Sequence, residues 1–394
     1  MSSVLQGIRV LDFGRYVAGP FCAALLADFG AEVIRIERVG GSEDRFVMPV
    51  TEEGEGALFL QANRNKRSIT LDIDRPEGRE VVQRLVRSAD VVVVNMPPQT
   101  LLNLGLDYAT LRGIRADIIV TVVSAFGGSG PYSERIGFDG VGQAMSGSVY
   151  LSGTPGQPTK AMVPTVDFAT AMSSAMGTLA ALYERRTSGQ GQRVEASLLH
   201  TALNLASGAL IEESALGVGR EPIGNRNPIA GPSDIFRVTD GWIIVQVIGP
   251  ALFKRWTRLV GRNDLLDDTR FRDDIARGEN GAFLSTLMAG WCRDRSRDEA
   301  LQALEGAKIP AGPVYSPRQV LADEHIRASG FLTETDYPGL KRPVSLVSPP
   351  VSLSRTPARI TARAPTIGEH TNEILAEVGY DSQAIALLKQ REVI

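Results

Sequence analysis

The residue in this sequence with the clearest chemical potential is Asp167, a carboxylate among apolar neighbours. The flanking segments Val163–Val166 and Phe168–Ala169 contain no cation that could pair with it. A poorly solvated carboxylate is a stronger nucleophile than a hydrated one, so Asp167 is a candidate for covalent catalysis. The alternative is structural, because Asp167 directly precedes a predicted helix and could accept its N-terminal N–H bonds. Both roles are compatible, since a helix N-terminus can also stabilise a developing oxyanion.

A second group of residues is suited to binding phosphate. Arg35 and Arg38 flank the end of a predicted strand, and Asn63–Arg67 places three cations and two amides in one loop. Open α/β sheets bind ligands at the loops that follow their strands, and cations with backbone N–H groups suit phosphates. The alternative for the same residues is a solvated basic turn.

Common nucleotide-binding, hydrolase and metal motifs are absent. The first strand-to-helix turn has Gly14 and Gly19 but not the G-x-G-x-x-G spacing, and the sequence has neither a P-loop nor a G-x-S-x-G elbow. The chain has two cysteines and three histidines, the latter far apart, so we expect no metal site and no disulfide scaffold. Cys22 lies in an apolar helical run and is predicted to be a core residue.

The elements that must position these residues alternate between strand and helix. Strands that are apolar throughout, alternating with helices, indicate a parallel sheet covered on both faces. The strands are predicted at Ile8–Asp12, Glu32–Ile36, Ser68–Ile73, Ala89–Val94 and Asp117–Val123. The helices are predicted at Phe21–Phe29, Pro76–Arg87, Phe138–Tyr150 and Phe168–Arg186, with a further one entered through Arg193–Ala196 and running to about Leu216.

The pattern changes after a loop rich in Gly, Pro and Asn at Gly217–Pro232. Asp234–Val238 and Trp242–Val247 are predicted to form an antiparallel hairpin. We therefore expect a large domain over residues 1–220, a small domain over 225–325, and a C-terminal segment, 330–394, that returns to the large domain.

Composition narrows the function classes. The chain has 394 residues with 42 Lys and Arg against 45 Asp and Glu, a net charge of −3, which argues against a nucleic-acid partner. No stretch approaches the roughly 18 apolar residues of a membrane span. The N-terminus lacks the features of a secretion signal, so a cytoplasmic protein is expected.

The candidate residues above belong to a longer series of short motifs spread along the chain. The motifs are Gly7–Asp12, Ala18–Pro20, Leu26–Ile34, Ile36–Arg38, Asn63–Ser68, Pro76–Gly78, Ala89–Asn95, Gly130–Pro131, Gly137–Asp139, Gln143–Gly147, Asp167, Gly189–Gly191, Pro310–Pro313 and Gly368–Thr371. In this order and spacing they resemble the class III CoA-transferases of the CaiB/BaiF type, such as formyl-CoA transferase.

The resemblance implies an α/β fold with a Rossmann-like large domain built from both chain ends, a smaller central α+β domain, and an interlocked homodimer. It also implies that Asp167 attacks an acyl-CoA thioester. CoA would then pass through an aspartyl anhydride and an aspartyl-CoA thioester to a carboxylic acid. The CoA thioester is a substrate in this chemistry, and no permanently bound cofactor is expected.

The resemblance also assigns CoA-binding roles by position. The nucleotide phosphates would be held by Arg38, Asn63, Arg64, Asn65 and Lys66. Backbone contacts to CoA would come from Val17, Ala18, Asn95, Met96 and Pro97, and the pantetheine path would be lined by Arg135 and Phe138. The chain departs from the family pattern at Met96–Gln99 and at Asn103, where loss of a phosphate contact is expected.

The sequence says less about the identity of the carboxylic acid that accepts CoA. Asn225 and Arg226 lie in the Gly224–Pro228 loop, our candidate for the acceptor side. An ion pair between Arg226 and a second carboxylate would favour dicarboxylic acids such as succinate, glutarate or itaconate, with succinyl-CoA as a candidate donor. A surface arginine in a flexible loop is the alternative.

Two functions are alternatives to CoA transfer. An α-methylacyl-CoA racemase-like isomerase needs proton carriers on both faces of a carbon, and Phe138 stands where that branch has a histidine. A non-catalytic CoA-binding protein would have no need of Asp167.

Overall fold

The computed structural model describes residues 3–394, and a six-stranded sheet forms the centre of its first compact unit. The spatial order is β3-β2-β1-β4-β5-β6, and all neighbouring strands are parallel. The strands are β1 (Arg9–Asp12), β2 (Glu32–Glu37), β3 (Lys66–Thr70), β4 (Val91–Val94), β5 (Ile119–Ser124) and β6 (Arg193–Ser197). The predicted α/β fold with a parallel sheet is confirmed.

Helices cover both faces of this sheet. Leu11 of β1 packs with Val81 and Leu85 on one face, whereas Val10 packs with Leu26 and Leu182 on the other. Apolar side chains on both faces explain the unbroken hydrophobic runs of these strands. The helices up to residue 216 are α1 (Ala18–Asp28), α2 (Ala57–Ala62), α3 (Pro76–Ser88), α4 (Pro98–Leu104), α5 (Tyr108–Ile114), α6 (Asp139–Met145), α7 (Ser148–Leu151), α8 (Thr165–Ser188), α9 (Leu198–Leu205) and α10 (Ser207–Leu216).

Two helix predictions are corrected by the structure. Arg193–Ser197 is the sixth strand rather than the entry to a helix, because its polar and apolar residues alternate with the period of two that suits a sheet edge. The predicted helix Phe138–Tyr150 is divided between α6 and α7 at Gly147, whose φ of 87° lies in the left-handed region and ends the helical conformation.

A three-stranded antiparallel sheet and five helices follow. The predicted hairpin is present, and a strand not foreseen from the sequence extends it in the order β7-β8-β9. Trp256 is fully buried in the core of this region. The elements are β7 (Ser233–Val238), β8 (Gly241–Gln246), β9 (Ala311–Pro313), α11 (Pro250–Leu259), α12 (Asp274–Glu279), α13 (Gly281–Cys292), α14 (Arg297–Gly306) and α15 (Pro317–Ala322).

The C-terminal segment packs on the first sheet. The backbone N–H of Thr70 donates to Thr371 Oγ1, and that of Asp72 donates to the Val393 carbonyl. The elements of this segment are α16 (Glu324–Ala328), β10 (Leu332–Thr335), β11 (Val344–Val347), α17 (Thr371–Glu377) and α18 (Ser382–Gln390).

The described chain divides into two compact units. The first contains the described part of Met1–Ser146 together with Ala161–Ile211 and Glu324–Ile394, and the second contains Gly147–Lys160 and Glu212–Asp323. Residues 147–160 thus group with the second unit, although the large domain predicted from the sequence, residues 1–220, includes them. Within residues 3–394, no helix combines the length and the apolar character needed to cross a membrane.

A buried ion pair fixes the turn that leaves β1. Lys66 Nζ lies 2.7 Å from Asp12 Oδ2 and also donates to the Pro20 carbonyl and to Asn63 Oδ1. Asp12 Oδ1 accepts the N–H of Gly14, where a Cβ atom would stand 2.7 Å from that same oxygen. Burial lowers the pKa of Lys66 to about 8, although Asp12 opposes the shift. The turn therefore depends on a charge pair that water does not reach.

Two further buried ion pairs support the neighbouring strands. Arg35 Nη2 lies 2.9 Å from Asp44 Oδ2, and Arg45 Nη2 lies 2.5 Å from Glu37 Oε1. All four side chains are almost completely buried. Because removing one member of such a pair would leave an uncompensated charge, these contacts hold β2 to the segment that contains Asp44 and Arg45.

Candidate active site

A cavity of about 230 Å³ opens at the carboxyl ends of β1, β4 and β5. The strand order reverses between β1 and β4, and such reversal points are where open α/β sheets bind ligands. The cavity brings together seven of the residues predicted for the site: Val17, Ala18, Asn95, Met96, Pro97, Phe138 and Asp167.

The N-terminus of α8 is capped by Asp139 and not by Asp167, which corrects the structural alternative considered from the sequence. The helix begins at Thr165, so Asp167 is its third residue. Asp139 Oδ2 accepts the N–H of Val166 at 2.7 Å and that of Asp167 at 3.0 Å. Because Asp139 occupies these backbone donors, the Asp167 side chain is not needed as a cap and lies in the cavity wall.

Asp139 is itself held in place by Gln143, one turn further along α6. Gln143 Nε2 donates to Asp139 Oδ1, and Gln143 Oε1 accepts the N–H of Ala161 at 2.9 Å. Asp139 therefore links α6 to the start of α8 through its two carboxylate oxygens, and Gln143 joins Ala161, in the segment between the two helices, to the same network.

The electrostatic surroundings of Asp167 disfavour its charged form. Burial, with a further contribution from the negative charge of Asp139, raises the pKa of Asp167 to about 7. No lysine, arginine or histidine among residues 3–394 forms an ion pair with its carboxylate. At neutral pH both protonation states are accessible, and the ionised form is poorly solvated. These are the conditions in which a carboxylate reacts with an activated carbonyl.

The loop after β1 is tied to the loop after β4. Asn95 Oδ1 accepts the N–H of Arg15, and Asn95 Nδ2 donates to the Arg15 carbonyl, both at 2.8 Å. Gly19 permits this close approach, because a Cβ atom there would stand 3.1 Å from Gly14 Cα and 3.4 Å from Asn95 Cγ. The Asn95 side chain thus has a structural role, and the backbone that follows it lines the cavity.

A larger cleft of about 510 Å³ lies along the carboxyl ends of β1 to β4 and shares Arg15 and Met96 with the cavity. Arg38 lines this cleft with a half-exposed side chain and forms an ion pair with Glu43. Glu43 also lies 3.3 Å from Arg15 Nη1. Burial lowers the pKa of Arg15, partly offset by Asp44. The wall of the cleft therefore includes two cations, Arg38 and Arg15, and Arg15 also lines the cavity.

The two cations of the Asn63–Lys66 stretch do not line either cleft. Arg64 is fully buried with Nη2 2.5 Å from Asp28 Oδ2, and Lys66 is paired with Asp12. A phosphate could reach them only by displacing buried carboxylates. The structure therefore does not support the predicted phosphate contacts of these side chains, since the sequence displays the charges but not their partners.

The two amides of the same stretch are also engaged in the fold. Asn63 Nδ2 donates to the Phe59 carbonyl at 3.1 Å. Asn65 Nδ2 donates to Asp28 Oδ1, and Asn65 Oδ1 accepts the N–H groups of Thr361 and Ala362. These contacts join α2 and the C-terminal segment to the first sheet, so both amides have structural partners.

The remaining predicted residues lie elsewhere. Arg135 is exposed, with its guanidinium 4.1 Å from the centroid of the Tyr132 ring, and it lines neither cleft. Asn225 is exposed and Arg226 is half-buried in the second unit, where Arg226 Nε donates to the Ile223 carbonyl at 3.3 Å.

The sequence matches the profile of CoA-transferase family III from residue 5 to residue 371. The chain belongs to CoA-transferase family III. It is 34% identical to a succinyl-CoA–D-citramalate CoA-transferase of Chloroflexus aurantiacus over 99% of this chain and 98% of that protein. It is also 34% identical to a succinate–glutarate CoA-transferase of Agrobacterium fabrum over 95% of each chain.

A solved structure of a CaiB/BaiF family protein from Brucella suis is similar in fold. It superposes with a TM-score of 0.84 at 32% identity, covering 96% of this chain and 100% of that one. The resemblance inferred from the motifs is confirmed, and this protein is an enzyme of the CoA-transferase class.

Three residues important to the site of this CoA-transferase were not identified from the sequence: Asp139, Arg15 and Tyr16. Asp139 lies 28 positions before Asp167, and only its place in the Gly137–Asp139 motif could have drawn attention to it. Arg15 and Tyr16 lie in the turn between β1 and α1 and are not part of a recognised glycine motif.

Replacing Asp167 by Asn should stabilise the protein in a pH-dependent manner. Below about pH 4 the carboxyl is protonated in both folded and unfolded chains, so the melting temperatures of variant and wild type should agree. Because the folded pKa is raised to about 7, the folded protein holds this proton more tightly than the unfolded chain does, and the wild type loses part of its stability as the pH rises from about 4 to about 7. The variant should therefore melt a few degrees higher at pH 8. Thermal unfolding at several pH values checks this, and a difference independent of pH would contradict the assignment.

Proposed function

We propose that this enzyme transfers CoA from an acyl-CoA thioester to a carboxylic acid with Asp167 as the covalent nucleophile. The observation that carries the proposal is a half-buried carboxylate, without a cation partner, in the cavity where the strand order reverses. A racemase would need a second proton carrier facing Asp167, and the phenyl ring of Phe138 cannot serve as one.

The reaction follows from the chemistry of a carboxylate. Asp167 adds to the thioester carbonyl, the C–S bond breaks, and a mixed anhydride and CoA thiolate form. The thiolate attacks the aspartyl carbonyl, which releases the first acid and leaves an aspartyl-CoA thioester. The acceptor carboxylate attacks this thioester, and the released thiolate then attacks the acyl side of the second anhydride. The product is a new acyl-CoA, and Asp167 is restored.

Each addition step creates an oxyanion that needs hydrogen-bond donors. The first turn of α1 begins at Ala18, beside the cavity, and the leading N–H groups of a helix have no partners within it. We assign the backbone N–H groups of Val17 and Ala18 as donors, in addition to the local field of the helix N-terminus.

The nucleotide part of CoA is assigned to the 510 Å³ cleft. Arg38 and Arg15 would bind its phosphates, since both are cations on the cleft wall and their partner Glu43 is exposed to water, whereas the ion pairs of Arg64 and Lys66 are buried. The pantetheine arm would pass Met96, which lines both the cleft and the cavity, and bring the thioester to Asp167.

Dicarboxylic acids are the proposed acids, with succinyl-CoA as the donor. Two relatives with near-complete coverage carry succinyl-CoA or succinate and a dicarboxylate in their names. In this chain Arg226, in a loop of the second unit, is our candidate partner for the second carboxylate.

Acylation of Asp167 is directly measurable. The enzyme is incubated with succinyl-CoA, quenched with hydroxylamine or borohydride, digested and analysed by mass spectrometry. The modification should fall on the peptide that contains Asp167. Replacement of Asp167 by Ala should lower the rate of transfer to glutarate by at least about 10³-fold, because the covalent route is lost.

The Asp167→Ala variant should still bind CoA, which calorimetry can measure. Arg38→Ala supplies the opposite control: CoA should bind more weakly, yet Asp167 should still be labelled at saturating succinyl-CoA. Labelling of a different peptide in the wild type would refute the nucleophile assignment.

Replacement of Arg226 by Ala should reduce the preference for dicarboxylate acceptors. The efficiency ratio of glutarate to butyrate should fall by about tenfold or more, since a hydrogen bond to a charged group contributes about 1.5–3 kcal/mol. Competition assays with both acids measure the ratio directly. An unchanged ratio would show that another group recognises the second carboxylate.

A cytoplasmic homodimer is the proposed assembly. Large apolar side chains in the first unit are exposed along consecutive helices, and a second copy of the chain would cover them. They are Met172, Met176, Tyr183, Leu205 and Leu210, of which Tyr183 is 77% exposed. Large exposed apolar side chains on neighbouring elements often mark protein–protein contacts.

Light scattering after size exclusion should give a mass of about twice the 42.4 kDa of one chain. Replacement of Met176 and Tyr183 by Lys should shift the distribution towards the single chain, because two charges would be buried at the interface. A wild-type mass equal to one chain would refute the dimer.

A further inference from the structure

Three exposed apolar side chains border the cavity that holds Asp167. Tyr16, Ile136 and Phe138 all line it, with 38%, 77% and 56% of their surfaces exposed. We call these three residues the apolar rim. Surface this apolar beside a reacting carboxylate is costly in water unless a substrate covers it.

Two members of the apolar rim, Tyr16 and Phe138, contact each other through their rings. The ring centroids of Tyr16 and Phe138 are 5.4 Å apart, and the ring planes meet at 86°. This edge-to-face arrangement is the favoured one for aromatic pairs and contributes about 0.5–1.5 kcal/mol beyond burial. The pair joins the turn after β1 to the start of α6, so it bridges two separate parts of the cavity wall.

Both rings stand on backbone that is fixed by hydrogen bonds to polar side chains. Tyr16 follows Arg15, whose N–H and carbonyl are both bonded to the Asn95 side chain. Phe138 precedes Asp139, whose carboxylate bonds the N–H of Asp167 itself. The position of the Phe138 ring is therefore coupled to that of the nucleophile through a single residue.

The backbone of Tyr16 is strained. Its φ of 61° lies in the left-handed region, which a residue with a side chain adopts at a cost of about 1–3 kcal/mol. Glycine would adopt this conformation without that cost. A tyrosine in this position places a large ring over the cavity at the expense of backbone strain, which points to a use for the ring.

We propose that the Tyr16–Phe138 pair excludes water from the acylated Asp167 and thereby sets the ratio of CoA transfer to hydrolysis. This inference rests on the proposed function, since it requires a covalent intermediate at Asp167. The apolar rim covers the aspartyl carbonyl, and the pantetheine arm of the substrate completes the apolar enclosure.

The side reaction that the rings prevent is hydrolysis of the aspartyl-CoA thioester. Water adds to the aspartyl-CoA carbonyl, the C–S bond breaks, and CoA leaves as the thiol after taking a proton. Asp167 returns to the free carboxylic acid, so each event consumes one water molecule and one thioester and yields no acyl-CoA product. Both the anhydride and the thioester are open to this reaction once water has access.

The test compares Tyr16→Ala with Tyr16→Phe, which keeps the ring and removes only the hydroxyl. Each variant is given succinyl-CoA and glutarate, free CoA is measured with a thiol reagent, and glutaryl-CoA is measured by mass spectrometry. The ratio of hydrolysis to transfer should rise by about tenfold or more in Tyr16→Ala, because water gains access to the intermediate. In Tyr16→Phe the ratio should stay close to the wild-type value.

The Phe138→Leu variant provides a second measurement. It retains an apolar side chain but loses the ring contact, so its hydrolysis ratio should also rise, and it serves as the test if Tyr16→Ala does not fold. Equal slowing of both reactions with an unchanged ratio would overturn the inference. Asp167 labelling in the same samples separates the two proposals: absence of label in the wild type refutes the nucleophile, whereas label with an unchanged ratio refutes only the role of the rings.

Discussion

The arrangement of this site depends on one interaction, the capping of α8 by the carboxylate of Asp139. A single oxygen of Asp139 accepts the N–H groups of Val166 and Asp167. It satisfies the first turn of the helix with a side chain from another helix, and Asp167 is thereby relieved of that role. The same negative charge adds to the effect of burial and raises the pKa of Asp167 to about 7. Asp139 thus affects both the position and the pKa of the Asp167 carboxylate.

Two sets of interactions fix the turn after β1, which lines the cavity that contains Asp167. Lys66 and Asp12 form an ion pair at the end of β1, and the Asn95 side chain binds the backbone of Arg15 in the turn that follows. Because unpaired charges inside a protein are costly, these groups allow few alternative arrangements. The charged groups of Lys66 and Asp12 do not line the cavity. Their contribution is to fix the turn after β1, whose backbone and Tyr16 ring do line it.

The two clefts have different linings but share part of their wall. The cleft along β1 to β4 is lined by the cations Arg15 and Arg38, and Arg15 also lines the smaller cavity, whose other lining residues are mostly apolar. In the proposed reaction the first cleft binds the nucleotide and the second holds the thioester at Asp167. Such an arrangement fits a CoA-transferase, because binding energy from the nucleotide can be used to position a distant thioester.

The sequence by itself determined the parallel α/β sheet, the hairpin of the second unit and the family. Unbroken apolar strands and ordered short motifs are local signals, so the chain displays them without its fold. It also singled out Asp167, since the absence of nearby cations can be read directly. Only the tertiary structure decided which charges are available to a ligand. Arg64 and Lys66 look like phosphate ligands until Asp28 and Asp12 are found against them, and the role of Asp139 depends on a contact between residues 28 positions apart. Burial and pairing arise from long-range contacts, whereas sequence patterns report only near neighbours.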